Sequence, residues 1–333
     1  AQLAEMLGTC YLNEGSARLL RDKFSVRERL QQAGLLQPPF QLATTTQELK
    51  SAVTSLGLPV LIKPSDGYGS QNIVTLKTPE DLNPLFSPLE IMLPSRADYG
   101  LGVAANDRLL VERYMTGQMV GCDVFTSKGQ HEFLGVNEKL MYPPPSFAIR
   151  GGCFTPYDAK NPTHECLKDY VFAALDAVNF NHGATHIEIM LTDQGPQLVE
   201  INPRIVGAKI GRLVSFALGR SIYKDLIDLH LGHWGLANTA TPAPVDQIPT
   251  PLFAATRWVV AHTRGRIVSI DLPSWEDPNI RCVEILKQVG DWVSPPFENA
   301  DRIGYVMAVG ATKTLAENLA EKFVSETNLD LVE

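Results

Sequence analysis

Hydrophobic and polar residues alternate along many short segments of the chain, and this two-residue period predicts β-strands. Residues 60–63 and 73–76 form the first such pair, on either side of a glycine-containing loop. Residues 163–180 instead carry apolar side chains every three or four positions, the period of an amphipathic helix, and His182-Gly183 follows as a stop signal. The pattern contains both kinds of element, and the fold class that we predict is α+β.

The same pattern divides the chain into four parts. They are a helical lead-in (residues 1–36), a small α+β subdomain (37–115), a larger subdomain (116–235) and a smaller C-terminal β-rich subdomain (236–333). Further predicted strands are 109–114, 121–126, 131–136, 255–261, 266–270, 283–288 and 304–309. Thr314 and Glu317 predict the capping box that begins a closing helix.

Composition narrows the class of protein. The 333 residues are 44% hydrophobic and 20% charged, no apolar run reaches the length that a bilayer requires, and the first residues lack the pattern of a secretory signal. We therefore expect a cytoplasmic enzyme with no membrane partner. The net charge of −8 argues against nucleic acid, because binding a phosphate backbone requires a basic surface. Five cysteines without a CxxC spacing predict reduced thiols.

The strongest chemical signal lies in residues 185–204, where two alternating strands flank Asp193-Gln194-Gly195. If these three residues form the loop of a hairpin, counting outward gives four pairs: Thr192 with Pro196, Met190 with Leu198, Glu188 with Glu200 and His186 with Asn202. The opposite face is apolar, with Ile187, Ile189, Val199 and Ile201. The hairpin should therefore be packed against a core.

Glu188, Glu200 and Asn202 then lie on one face, with the two carboxylates about 5 Å apart at Cβ. Like charges directly opposite each other destabilise a sheet. A divalent cation between them removes the repulsion, and two carboxylates with an amide suit Mg²⁺ better than Zn²⁺. The alternative is a pair of solvated surface glutamates, which the apolar opposite face disfavours.

The loop between the first two predicted strands contains Gly67 and Gly69. It lacks the third glycine of a dinucleotide-binding turn, and no GxxxxGK[ST] motif is present. Two interpretations remain: a plain β-hairpin, or a flap whose backbone N–H groups cover phosphates while Lys63 meets their charge. The loop alone favours the hairpin, and beside a metal hairpin we favour the flap. We expect Lys63, at the end of a strand, to have little packing role.

Taken in chain order, the sequence motifs resemble those of the ATP-grasp superfamily, and the resemblance covers nearly all of the chain. Asp22-Lys23 resembles the family's Asp-Lys at a helix start, Lys63 its second phosphate lysine, and the segment Gly67 to Ser70 its flap. The sequence Val111-Glu112-Arg113-Tyr114-Met115 resembles the hinge strand that receives adenine. Glu188 and Glu200-Ile201-Asn202-Pro203-Arg204 resemble the family's magnesium carboxylates, asparagine and substrate arginine.

The resemblance implies an ATP-grasp fold, in which two α+β subdomains grip ATP, and a requirement for Mg²⁺, with Mn²⁺ as an alternative. It implies that ATP contacts Lys23, Lys63, Gly67, Gly69, Ser70, Glu112, Arg113, Tyr114 and Met115. It further implies that Glu188, Glu200 and Asn202 hold the metal, and that Lys63 and Arg204 take part in catalysis.

The residues after Arg204 decide the subfamily that we predict. Biotin-dependent carboxylases continue with a Gln-Val-Glu segment, whereas this chain continues with Ile205-Val206-Gly207 and lacks that glutamate. Residues 202–220 resemble carboxylate–amine ligases that make dipeptides and related amides. The resemblance implies a small-molecule carboxylate and an amine, such as an amino acid, joined through an acyl-phosphate with release of ADP and phosphate. An ATP-dependent carboxylase and a non-catalytic nucleotide-binding module stay as alternatives, and a homodimer is left open.

Three departures from the family pattern affect this expectation. Relatives of this type carry an α/β domain before the Asp-Lys motif, and only 21 residues precede Asp22, so we expect that domain to be absent from this chain. Met119 stands where relatives often have a glutamate for the ribose hydroxyls. Cys153 stands where they often have a histidine near the substrate, so a base or orienting group must come from elsewhere.

Overall fold

The computed structural model describes residues 1–66, 73–78, 81, 108–143, 148–207, 209–234, 252–297 and 301–332. Its helices are α1 (Gln2–Leu7), α2 (Glu14–Leu19), α3 (Lys23–Gln32), α4 (Thr46–Leu56), α5 (Pro162–Ala177), α6 (Ile210–Leu218), α7 (Ile222–His230) and α8 (Lys313–Ser325). None of these helices is long and apolar enough to cross a membrane.

The strands form three sheets. They are β1 (Phe40–Ala43), β2 (Val60–Pro64), β3 (Val74–Leu76), β4 (Leu109–Arg113), β5 (Gln118–Ser127), β6 (Gln130–Met141), β7 (Ile149–Pro156), β8 (His182–Thr192), β9 (Gly195–Asn202), β10 (Phe253–Val259), β11 (Gly265–Asp271), β12 (Ile280–Ile285), β13 (Trp292–Val293), β14 (Gly304–Gly310) and β15 (Asn328–Val332). Helices and antiparallel sheets are both present, so the predicted α+β class is confirmed.

A four-stranded sheet with the order β1-β4-β2-β3 forms the first part of the fold. Thr45 caps the start of helix α4, because its side chain accepts a hydrogen bond from the Glu48 N–H, and Gly57 follows the last residue of the helix. Its buried face, which includes Leu49 and Val53, belongs to the same apolar cluster as the inner side chains of the sheet. This packing fixes β2 and β4, the two neighbouring strands that carry Lys63 and Glu112.

An eight-stranded sheet has the order β12-β14-β10-β7-β6-β5-β8-β9. Helices α3 and α5 pack on one face of this sheet and share one apolar cluster with it. Helices α6 and α7 pack on the other face and share a second apolar cluster. Strand β10 pairs with β7, so strands from the C-terminal part of the chain continue the sheet that carries the glutamate hairpin. The third sheet, β13-β11-β15, lies in the C-terminal part. The division at residues 235 and 236 stays a prediction.

The capping box predicted at Thr314 and Glu317 is wrong. Helix α8 begins two residues earlier, where the Thr312 side chain accepts a hydrogen bond from the Leu315 N–H at 3.2 Å. Thr314 is therefore already inside the helix. Thr312 and Thr314 are both candidates for the N-cap, and local sequence favours Thr314 because a glutamate follows it three residues later. In the structure β14 ends at Gly310, and the helix starts directly afterwards with Thr312 as its N-cap.

Candidate active site

The hairpin of β8 and β9 brings the two predicted metal carboxylates together. Glu188 lies opposite Glu200, and His186 lies opposite Asn202, so these two predicted pairs are confirmed. Ile187 and Ile201, on the other face, are buried in the cluster beneath α5. Burial of that face fixes the register, because a slip of one residue would turn both glutamates towards the core.

The turn of this hairpin differs from the prediction. The loop has two residues, Asp193-Gln194, rather than three, so Thr192 pairs with Gly195 instead of Pro196. Met190 consequently lies opposite Gln197 rather than Leu198. The three-residue loop and the two pairs nearest to it are therefore wrong.

A β-bulge in β9 compensates for the shorter loop. The register shifts between Glu188 and Ile189, which leaves Val199 as the extra residue of β9. Beyond the bulge, Glu200 returns to the position opposite Glu188. Val199 lines the cavity beside Glu200, a position that strict strand alternation does not give it.

Each of the two glutamates forms a salt bridge with a lysine. Lys139 Nζ lies 2.6 Å from Glu188 Oε1, and Lys23 Nζ lies 3.0 Å from Glu200 Oε1. Burial opposes ionisation of Glu188, but Lys139 outweighs burial, and the net effect is a lowered pKa for this carboxyl. Each of the two carboxylates is thus paired with one ammonium group.

The donor set fits a hard divalent cation. Two carboxylates face each other, and Asn202 follows on β9 with its Oδ1 accepting a hydrogen bond from Arg204 Nη2 at 3.3 Å. These oxygen ligands are those that Mg²⁺ prefers. Among the described residues, no group of three or more His, Cys, Asp or Glu side chains could hold a metal ion.

A first cavity of about 270 Å³ is lined by residues of both large sheets and of α3. Its lining residues are Lys23, Leu61, Lys63, Pro64, Ile73, Glu112, Arg113, Tyr114, Met115, Met119, Lys139, Glu188, Met190, Val199 and Glu200. The structure therefore brings together the predicted ATP contacts that it describes. Gly67, Gly69 and Ser70 lie outside the described residues.

A buried cluster of three charges supports this cavity. The Glu112 carboxylate, 2% exposed, contacts Lys63 Nζ at 2.7 Å and Arg27 Nε at 2.5 Å. Lys63 is itself only 5% exposed, so the expectation that it has little packing role is wrong. The backbone N–H of Lys23 donates to Ser65 O at 2.7 Å, which fixes the start of α3 beside the end of β2.

A second cavity of about 200 Å³ lies next to the first and shares Lys139 and Glu188 with it. Its polar lining includes Arg204, His186 and Arg302, and its apolar lining includes Ile210 and Trp258. Arg204 thus lines the second cavity and not the first. The Arg302 guanidinium stacks on the Trp258 ring at 3.7 Å, and burial lowers the pKa of Arg302 to about 10.

Two further residues of the second cavity bear on the departures from the family pattern. Cys153 is buried, and burial raises the pKa of its thiol to about 12. His186 is also buried, and its Nδ1 lies 2.9 Å from Asp123 Oδ1, which in turn accepts from Asn137 through its other oxygen. This histidine stays oriented by a carboxylate.

Sequence reasoning missed Arg27 and Lys139. Arg27 follows Lys23 by four positions, so helical periodicity places both on one face of α3, and this signal could have found it. Lys139 lies beyond the predicted end of its strand at residue 136, whereas β6 continues to Met141. With the longer strand, Lys139 becomes a residue of the same eight-stranded sheet as the glutamate hairpin, and its ammonium reaches Glu188.

Comparisons with known proteins identify two domains in the chain. The family model of the ATP-grasp domain matches residues 56–212, and that of the L-amino acid ligase C-terminal domain 2 matches residues 257–332. Similar curated proteins include an uncharacterized protein, y4rH, of Sinorhizobium fredii, with 26% identity over 91% of this chain and 59% of that protein. Dapdiamide A synthase of Enterobacter agglomerans is 23% identical over 60% of this chain and 46% of its own length. The L-arginine-specific L-amino acid ligase of Bacillus subtilis is 21% identical over 64% of this chain and 50% of its own length.

Solved structures show the same fold. An L-amino acid ligase from Bacillus licheniformis superposes with a TM-score of 0.72 at 16% identity, over 100% of this chain and 77% of that one. A phosphoribosylglycinamide synthetase from Anaerococcus prevotii superposes with a TM-score of 0.75 at 19% identity, over 100% of this chain and 79% of that one. The chain spans about half the length of the curated relatives that it matches. It carries an ATP-grasp domain followed by the C-terminal domain 2 of the L-amino acid ligases.

Proposed function

We propose that the chain joins a small-molecule carboxylate to an amine, using ATP and releasing ADP and phosphate. The observation that carries this proposal is the pair of adjoining cavities that share Glu188 and Lys139. A ligase of this type needs two neighbouring sites, because the phosphoryl group of ATP must meet an acceptor bound beside it. Charged residues line the boundary between the cavities, where that transfer would take place.

The first cavity is proposed to hold ATP, and we call it the nucleotide cavity. Its apolar residues, among them Leu61, Met115 and Met190, offer a surface for the adenine ring, and its lysines offer charge for the phosphates. The buried cluster of Arg27, Lys63 and Glu112 supports this role. It contains two positive charges and one negative charge, so it favours an anionic ligand, and a nucleotide phosphate supplies that anion.

The second cavity is proposed to hold the acid substrate. Arg204 and Arg302 provide guanidinium groups for a carboxylate, and the apolar residues beside them provide surface for a side chain. A carboxylate oxygen would attack the terminal phosphorus of ATP, and the bond from that phosphorus to the ADP oxygen would break. The amine would then attack the acyl carbon, phosphate would leave with its bridging oxygen, and the amine nitrogen would lose a proton to solvent or a base.

Glu188, Glu200 and Asn202 are the residues that would hold Mg²⁺, or Mn²⁺ in its place. The bound metal supplies neutralisation of charge on the phosphoryl oxygens. Lys63 and Lys23 would bind phosphate oxygens, and Arg204 would steady the acyl-phosphate. The name of a similar protein, the L-arginine-specific L-amino acid ligase, supports an amino acid as one of the substrates.

A panel of amino acids and simple carboxylic acids tests the proposal. ADP release should require Mg²⁺, one acid and one amine together, and an amide should form in equal amount. An ATP-dependent carboxylase would release ADP with bicarbonate and without an amine. A nucleotide-binding module would bind ATP and release no ADP with any member of the panel. Either of these last two results would refute the ligase proposal.

A further inference from the structure

Two arginines line the second cavity, and they come from different ends of the eight-stranded sheet. Arg204 follows β9 at one edge of the sheet, and Arg302 precedes β14, which lies one strand from the other edge. Five strands separate β9 from β14, and neighbouring strands lie about 4.8 Å apart. The two side chains therefore start far apart and reach the cavity from different directions.

Arg204 lies at the end of the cavity that carries the glutamate hairpin. Its Nη2 donates to Asn202 Oδ1 at 3.3 Å. Glu188, which lies opposite Glu200 in the hairpin, lines the same cavity. A carboxylate bound by Arg204 is therefore close to the oxygens that are proposed to hold the metal, and this is the carboxylate that would receive the phosphoryl group.

The Arg302 guanidinium lies on a rigid aromatic surface. It is 3.7 Å from the centre of the Trp258 ring, which is itself buried and contacts the Tyr305 ring edge-on at 5.2 Å. The N–H of Ile303 donates to Val259 O at 2.9 Å, which fixes the backbone next to Arg302 beside β10. A guanidinium positioned in this way can bind a carboxylate through two parallel hydrogen bonds.

The charges around the second cavity favour an anionic ligand. The two acidic residues among its described lining residues each contact a lysine, Glu188 with Lys139 and Glu138 with Lys313, both at 2.6 Å. Burial lowers the pKa of Arg302 to about 10, so the charged guanidinium is penalised at this position. A bound anion offsets that penalty.

Apolar side chains line the second cavity as well, among them Val206, Ile210 and Leu213. The cavity of about 200 Å³ has room for about seven water molecules of ~30 Å³ each, which corresponds to one small molecule. A short hydrocarbon chain with an anionic group at each end matches both the apolar lining and the two guanidinium groups.

We propose that the acid substrate is a dicarboxylate, with one carboxylate beside Arg204 and the other bound by Arg302 on the Trp258 ring. This inference rests on the proposed function and deepens it by naming the class of acid. The carboxylate at Arg204 attacks the terminal phosphorus, ADP leaves, and the amine then displaces phosphate from that acyl carbon with loss of a proton. The carboxylate at Arg302 does not react, so the product carries one amide and one free carboxylate. Arg302 thus determines specificity without touching the reacting atoms.

Arg302→Met removes the charge and keeps an apolar side chain on the Trp258 ring. Arg264→Met is the matched control, because the Arg264 guanidinium lies over the Trp292 ring at 5.7 Å and lines neither cavity. Arg302→Gln is a second neutral variant. It carries the comparison if a thermal melt shows that Arg302→Met fails to fold.

Calorimetric titration with straight-chain dicarboxylates from succinate to adipate, each paired with the monocarboxylate of equal carbon number, tests the proposal with and without Mg²⁺ and ADP. In the wild type and Arg264→Met, the best dicarboxylate should bind about tenfold or more tightly than its monocarboxylate, because its far end gains a contact between two charges. In Arg302→Met this advantage should fall to within about threefold, while the affinity for the monocarboxylate changes by less than about threefold.

The proposal fails if no dicarboxylate binds the wild type more tightly than its monocarboxylate, or if Arg302→Met keeps the advantage. It also fails if Arg302 instead binds the carboxylate of the amine substrate. In that case Arg302→Met would lower kcat/KM for glycine relative to methylamine and leave the acid series unchanged. The titrations need no amine and no turnover, whereas an absence of ADP release in the substrate panel would refute the ligase proposal itself.

Discussion

Glu112 balances two buried cations, and this single residue links the stability of the fold to the nucleotide cavity. Burial alone would raise the pKa of its carboxyl, but Arg27 and Lys63 outweigh burial and lower it. For Lys63 the balance is reversed: burial outweighs the attraction of Glu112, and the pKa of the ammonium is lowered. The lowered pKa of Glu112 and the lowered pKa of Lys63 both follow from two cations that share one anion. The family resemblance identified Lys63 and Glu112, whereas their mutual contact required the structure.

Lys63→Ala should weaken ATP binding and also lower the free energy of unfolding. The loss of stability should be about 2 kcal/mol, because Glu112 keeps Arg27 as a partner but loses its second cation in a buried site. ATP affinity should fall about tenfold or more. Calorimetric titration with ATP and a denaturant unfolding curve measure the two effects.

Lys23→Ala serves as the matched control for Lys63→Ala. Its contact with Glu200 is more exposed, with 17% and 27% of the two side chains accessible, so its loss should lower ATP affinity with a smaller effect on unfolding. ATP affinity that is unchanged in Lys63→Ala would contradict the place given to this lysine. Equal losses of stability in the two variants would contradict the structural role of the buried cluster.

Met119 lines the nucleotide cavity, and a thioether cannot accept the hydrogen bonds of ribose hydroxyls as a carboxylate does. The neighbouring Gln118 directs its amide towards Glu138 at 3.3 Å. We therefore expect kcat/KM for ATP and dATP to lie within about tenfold of each other, and Met119→Glu to increase the preference for ATP. A strong preference for ATP in the wild type would show that another residue accepts these hydrogen bonds.

Single elements show how far the sequence predicts this fold. Alternation in β8 and β9 correctly placed Glu188 opposite Glu200, because burial of one face fixes the register. The prediction reached this pair through two errors that cancel: a loop one residue too long and a bulge at Val199 that local sequence does not reveal. The end of β6 was beyond prediction for a related reason, since its last residues are held by pairing with a distant strand, β7.

The beginning of α8 provides a direct test at the scale of one element. Thr312→Ala should destabilise the protein by about 1 kcal/mol, because the Leu315 N–H loses its acceptor at the cap. Thr314→Ala should be neutral or slightly stabilising, because Thr314 is exposed inside the helix and alanine has the higher helix propensity. Denaturant unfolding of both variants makes the comparison. If Thr314→Ala were less stable than Thr312→Ala, the N-cap of α8 would be Thr314 after all.

At the scale of the whole molecule, the candidate site combines elements that are far apart in sequence. Arg27 and Glu112 are separated by 85 positions, and Lys139 and Glu188 by 49. Sequence motifs identified several of these residues one at a time, since each motif has its own local pattern. The contacts between them depend on how α3, the four-stranded sheet and the eight-stranded sheet pack, and local patterns do not encode that packing. The predicted flap residues lie outside the described part of the chain.

The arrangement of the two cavities also predicts which bond of ATP breaks. Lys139 and Glu188 line both cavities, so charged groups stand where the nucleotide cavity meets the second cavity, and they favour charge on the terminal phosphoryl group, which an acid bound in the second cavity would attack. The products should be ADP and phosphate. When the amine displaces phosphate from the acyl carbon, one oxygen of the original carboxylate leaves with the phosphate.

A carboxylic acid substrate labelled with heavy oxygen in its carboxylate distinguishes this route from adenylation. Transfer through an acyl-phosphate should place one labelled oxygen in inorganic phosphate for each amide formed, and mass spectrometry of the phosphate measures it. Adenylation would instead place the label in AMP and release pyrophosphate, because the carboxylate would then attack the phosphorus next to the ribose. Label in AMP would refute the positions given to Lys63, Glu188, Glu200 and Arg204 together, since all four are placed to act on the terminal phosphoryl group and its acyl acceptor.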